Sequence, residues 1–109
     1  MILEPIIPDY TGACLSNVIP AFLEHKTIGS GWIPEEILNA NQVVILLIDG
    51  LGFNQFQEAK HSELTPNLAK MKLQKITTVA PSTTATALTS LTTGKPPGEH
   101  GIIGYKINV

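Results

Sequence analysis

The sequence predicts an α/β protein built as αβα layers around a mainly parallel sheet. Two runs carry the strands: the continuous apolar stretch Val43-Val44-Ile45-Leu46-Leu47-Ile48 and the shorter Ile76 to Ala80. A third observation is helical apolar spacing before, between and after them. Continuous β-branched runs are the pattern of strands buried on both faces. The resulting order, helix, strand, helix, strand, helix, is that of a parallel sheet with helices on its faces.

In residues 13–24, Leu15, Val18, Ile19, Phe22 and Leu23 recur at helical spacing, with Thr11 or Gly12 marking the start. A Gly-Ser-Gly turn at 29–31 follows. Pro34-Glu35-Glu36 then has the proline and acids of a first helical turn, predicting a short helix through Leu38. After the first strand, Phe53 to Lys60 and Thr65 to Met71 read as one broken helical region, with Thr65 as N-cap and Pro66 at the first helical position. Pro81 ends the second strand. Ser82 to Thr92 predicts another helix, with Ala85, Leu88 and Leu91 on its apolar side and Gly94 beyond its end.

Composition narrows the function. Hydrophobic residues are 43% of the 109-residue chain and charged residues 15%, which suits a buried globular segment. The seven positive charges are all lysines, scattered from Lys26 to Lys106, and the formal net charge is −2. A nucleic-acid backbone needs a clustered basic surface, so such a partner is not expected. With no arginine to bind phosphate bidentately, backbone amides, lysine or metal would have to hold one. Cys14 is the single cysteine, which excludes an internal disulfide or cysteine-based zinc cluster and reads as a small buried thiol. The start of the chain, with early acids and prolines, does not read as a secretory signal, and the longest apolar run, Val43 to Ile48, is too short to span a bilayer. A cytoplasmic location and no membrane partner are therefore the expectations.

Parallel α/β folds place ligands at the carboxyl ends of their strands. Two polar clusters stand there: Asp49-Gly50-Leu51-Gly52 and Pro81-Ser82-Thr83-Thr84. The Asp49 carboxylate can serve as a metal ligand, or Asp49-Gly50 can be a turn or N-cap leading into the next helix. In the second cluster, three hydroxyls meet a helix amino terminus, whose free N–H groups favour phosphate and stabilise an alkoxide. A threonine hydroxyl needs an adjacent base or metal to become a nucleophile. The alternative is that Ser82 or Thr83 simply caps the helix. Other motifs fail: Gln55 stands where a dinucleotide fingerprint needs its third glycine, and Gly94-Lys95 is followed by Pro96, not by the Ser or Thr of a phosphate-binding loop. His25, His61 and His100 have no metal-ligand spacing.

Taken together, the segments Val43 to Gly50, Thr65-Pro66-Asn67-Leu68, Ala80-Pro81-Ser82-Thr83-Thr84, Thr93-Gly94 and Glu99-His100-Gly101-Ile102 resemble type I phosphodiesterases/nucleotide pyrophosphatases of the alkaline phosphatase superfamily. The resemblance covers roughly residues 42–105, with a looser fit from Asp9-Tyr10 to Leu23. It implies an alkaline-phosphatase-like fold, incomplete in this chain. Residues 1–109 would be the N-terminal part of a single catalytic domain. Within it, 1–41 would form an N-terminal helical segment and 42–109 a strand-helix-strand-helix unit carrying half of the metal site.

By position, the resemblance makes Asp49 a metal ligand and Thr84 both a metal ligand and the nucleophile, with Thr83 as second choice. It implies two divalent ions, zinc first and manganese or magnesium as alternatives, and a small phosphorylated substrate. Eukaryotic relatives have a phosphate-holding asparagine three residues after the nucleophile, where this chain has Ala87. The family's other ligands lie later in the chain, so the expectation is a piece of a longer enzyme, inactive alone and able to self-associate through an exposed sheet edge. Two other readings stay open: a phosphomonoester or phosphonate hydrolase of the same superfamily, and a non-catalytic α/β binding module. A sulfatase is disfavoured because no Cys-x-Pro-x-Arg pattern is present.

Overall fold

A computed structural model describes residues 4–24, 31–63 and 65–106. Its regular elements are helical: a 3-10 turn at Leu15–Asn17, then α1 (Val18–Leu23), α2 (Glu35–Leu38), α3 (Phe53–Lys60), a second 3-10 turn at Leu68–Lys70, α4 (Thr84–Thr93) and α5 (Pro97–His100). The chain divides into two compact units, Met1–Asn41 with Ile76–Val109, and Gln42–Lys75.

The expected parallel sheet is not formed among the described residues, whose one strand-like pairing is an isolated parallel bridge between Cys14 and Thr77. Residues 76–80 therefore run as a single bridged segment. Residues 43–48 stand outside any ladder, with Val44 93% and Leu46 81% exposed. Both differences have one cause. A parallel strand exists only when a neighbour distant in sequence takes up its N–H and C=O groups, and β-propensity cannot supply that neighbour.

In the first unit, the core is small and partly polar. Cys14, Ala21, Val79 and Leu91 are its buried apolar residues, beside buried Ser16, Thr86 and Ser90. The Cys14 thiol is free and buried, as the sequence predicts. The first helix starts at Leu15 rather than at Thr11 or Gly12, because a local side-chain bond and long-range bonds to Thr77 claim the preceding backbone. Asp9 Oδ2 accepts the Ala13 N–H at 3.1 Å, and Thr77 exchanges main-chain bonds with Ala13 and Leu15 at 2.8 and 2.9 Å. In α2, Pro34 is the N-cap rather than the first helical residue, with Glu35 and Glu36 in the first turn. Gly29, Ser30 and His25 lie outside the described residues, and with them most of the predicted 29–31 turn.

Helix α4 ends at Gly94, whose φ of 68° is left-handed. Its buried side is Thr86, Ser90 and Leu91, whereas Leu88, predicted to face the core, is 42% exposed. This side packs against the 3-10 turn Leu15–Asn17, α1 and α5. The α5 contact includes a hydrogen bond of 2.8 Å between Ser90 Oγ and His100 Nε2. His100 Nδ1 accepts the Ile102 N–H at 3.0 Å, so the ring proton sits on Nε2 and is donated to Ser90. His100 therefore cannot take a proton from Ser90, and the pair is a structural link. Ser90→Ala leaves the Nε2–H without its acceptor, and unfolding in denaturant should show a loss of about 1–3 kcal/mol.

In the second unit, Gly52 is the N-cap of α3, and its N–H donates to the Gln55 side-chain oxygen at 2.7 Å. Lys75 lies over the Phe53 ring, 5.6 Å from its centroid. Thr65 does not cap a following helix. Its hydroxyl donates back to Ala59 O at the end of α3, and Asn67 caps the 3-10 turn that follows, so Pro66 is not a first helical residue. Ala59 O also accepts the Ser62 N–H at 3.0 Å, so the Thr65 hydroxyl adds a second bond at the end of α3.

Candidate functional site

The two polar clusters take different local forms. Asp49 sits in a turn with Gly50, whose φ is 75°. That left-handed conformation suits glycine, so Asp49-Gly50 is the turn that joins the apolar run to α3. Asp49 is exposed, and the N-cap of α3 is Gly52, not Asp49.

The second cluster opens α4. Thr83 is the N-cap in extended conformation, and Ala87 N–H donates to its carbonyl at 2.8 Å, the first bond of the helix. Thr84 is the first helical residue and is half-buried. Ahead of that first bond, the N–H groups of Ala85 and Thr86 have no helical carbonyl to donate to, which makes the turn around Thr84 a place where negative charge is stabilised.

Thr83 Oγ1 pairs with Thr86 Oγ1 at 2.9 Å, and Thr86 is fully buried. The Thr83 hydroxyl is thus used inside the protein, in place of the direct hydroxyl-to-amide cap expected of Ser82 or Thr83. Farther along α4, the Thr89, Thr92 and Thr93 hydroxyls bond back to carbonyls of the preceding turn, at 2.7–2.9 Å at their shortest, and serve the helix rather than a ligand.

Asp49 belongs to the Gln42–Lys75 unit and Thr84 to the other. Among the described residues, no group of three His, Cys, Asp or Glu side chains could hold a metal ion, so they do not form a complete metal centre. A carboxylate and a hydroxyl are oxygen donors of the kind that divalent ions accept, but they are fewer than the three or four protein ligands that a zinc site takes. No helix among the described residues is long and apolar enough to cross a membrane.

The two candidate elements are thus an exposed Asp-Gly turn after the apolar run and a hydroxyl-bearing helix start. The sequence profile of the family Type I phosphodiesterase / nucleotide pyrophosphatase matches residues 43–108, more than half of the chain, and the protein belongs to that family. Searches of curated proteins and of solved structures returned no match. The family implies an alkaline-phosphatase fold, of which the described residues hold the helices and one parallel bridge but not the sheet.

Proposed function

We propose that the protein is a metal-dependent hydrolase of phosphodiester or nucleotide-pyrophosphate substrates, with Thr84 as its nucleophile. The observation that carries this reading is the position of Thr84 as first residue of the ten-residue helix α4, inside the family-matched segment. Thr84 Oγ attacks phosphorus in line, the new threonine O–P bond forms as the bond to the leaving alcohol or phosphate breaks, the threonine proton is lost to solvent as the leaving group takes one up, and water then hydrolyses the threonyl phosphodiester, releasing the phosphate monoester and restoring the hydroxyl. The Ala85 and Thr86 amides at the helix start stabilise charge on the phosphoryl oxygens as it develops.

Asp49 and Thr84 are the ligands this chain would contribute to a pair of divalent ions, zinc in the first place. The chemistry such ions supply when bound is Lewis-acid charge at the phosphoryl oxygens and a lowered hydroxyl pKa. The substrate is a small phosphorylated molecule. Ala87 offers no side-chain donor where eukaryotic relatives use asparagine, so its phosphate must be oriented by other groups.

Purified enzyme that carries this segment together with the family's remaining metal ligands should hydrolyse an aryl phosphodiester faster than the matching monoester, lose that activity to a chelator and regain it with zinc, whereas residues 1–109 alone should show no turnover. Preference for the monoester would move the substrate class within the superfamily. Absence of all ester turnover with divalent ions present would replace the enzyme reading with a non-catalytic α/β binding module.

A further inference from the structure

Tyr10 lies outside the segment that the family profile matches, yet the structure ties it to the turn that leads into α4. The loop that carries it is bonded from within. Asp9 Oδ2 accepts the Ala13 N–H at 3.1 Å, Asp9 Oδ1 accepts the Thr11 hydroxyl at 3.2 Å, and the Asn17 amide donates to the Tyr10 and Gly12 carbonyls at 3.0 and 2.9 Å. A Cβ at Gly12 would collide with the Asp9 carboxylate, so glycine is what lets that carboxylate fold back over the loop. The loop is also bonded outward to residues 77–80. Asp9 N–H donates to Thr77 Oγ1 at 2.9 Å, and Ala80 N–H donates to the Tyr10 phenol oxygen at 3.0 Å.

The last of these bonds matters most for the site. Val79 is buried, whereas residues 80–83 are exposed and run directly into Thr84. The Tyr10 phenol ties the main chain at Ala80, at the start of this exposed turn, to the Asp9–Leu15 loop of the same unit. We propose that Tyr10 is a positioning residue for the nucleophile: its phenol oxygen holds the Ala80 amide and so fixes the Ala80–Thr83 turn that sets where Thr84 begins α4. This role rests on the phosphodiesterase reading above. Tyr10 acts through backbone and need not touch the substrate.

Tyr10→Phe removes only the oxygen, from a side chain already 37% exposed, and should fold normally. The expected result is a fall in kcat for an aryl phosphodiester of about tenfold with KM within about twofold, because a loosened turn misplaces the nucleophile without removing substrate contacts. Hydrogen exchange at the Ala80 amide should accelerate by about fivefold or more, with the melting temperature little changed. Thr77→Val, which removes the acceptor of the Asp9 N–H, should shift both readouts in the same direction by less. Unchanged Ala80 exchange in Tyr10→Phe overturns the proposal whatever the activity, and faster exchange with wild-type kcat overturns the positioning role. A wild-type protein with no ester turnover removes the functional reading and this role together, whereas wild-type turnover matched by Tyr10→Phe removes the role alone.

Discussion

Thr84→Ala should lower phosphodiester turnover by about 10^4-fold or more while the protein stays folded, since removing a covalent nucleophile leaves only binding and electrostatic assistance. Alanine is the best helix former, so helix α4 should still form in the variant. Thr84→Ser keeps a hydroxyl at that position and should retain measurable turnover. Thr83→Ala is the critical control, because Thr83 is the neighbouring hydroxyl that a slip of one residue would make the nucleophile. Its Oγ1 is engaged with buried Thr86 at 2.9 Å, so its loss should cost about 1 kcal/mol of stability and leave turnover within about tenfold of wild type. Steady-state kinetics on the three variants, with mass spectrometry of the wild-type protein for the substrate's phosphoryl ester trapped on Thr84, decides the matter. Wild-type turnover by Thr84→Ala under saturating zinc would sink the assignment.

The largest stability effect should come from Gly94→Ala. Gly94 ends α4 at a φ of 68°, and a Cβ there would stand 2.6 Å from Pro20 Cγ and 3.1 Å from Pro20 Cδ. Two costs add: about 1–2 kcal/mol for a left-handed L-residue, and about 1–3 kcal/mol for overpacking a ring in α1 that has few ways to yield. Two other glycines separate them. Gly31 has a φ of 84° with open space around its Cβ position, so Gly31→Ala reports the conformational cost alone. Gly98, also with open space around its Cβ position and inside α5, should tolerate alanine or gain from it. Chemical denaturation of the three variants should rank Gly94→Ala well below Gly31→Ala, with Gly98→Ala at or above wild type. Equal losses at positions 94 and 31 would mean that the helix end does not press on Pro20.

Much of the local structure was legible in the residues. Gly94 was recognised as lying beyond a helix because a left-handed C-terminal cap is a one-residue property. Phe53 and Lys60 bound α3 as expected, and Thr83-Thr84 marks the start of α4 within two residues of the predicted Ser82. What failed depended on partners distant in sequence. Apolar spacing puts Leu88 on the contact side of α4, yet the fully buried positions are Thr86 and Ser90, whose hydroxyls are paired with Thr83 and His100. Small polar residues become core residues when a neighbour satisfies them, and periodicity of apolar residues is blind to that. Helix α5 was not anticipated, since four residues with Pro97 and Gly98 carry too little periodic signal.

The sequence by itself determined the family, through motifs whose order survives without any structure, and with it the identities of Asp49 and Thr84 as candidates. It also placed Gly94 beyond a helix end, because a left-handed cap favours glycine, and left the Asp49-Gly50 turn as one of several readings. The tertiary structure alone decided that the Asp9–Leu15 loop braces residues 77–80, that Tyr10 reaches Ala80, and that the apolar run 43–48 joins no ladder among the described residues. Those outcomes turn on hydrogen bonds across 60 or more residues of chain, such as the Tyr10 to Ala80 bond with its separation of 70. Local propensity does not encode which distant group will be there to accept the bond.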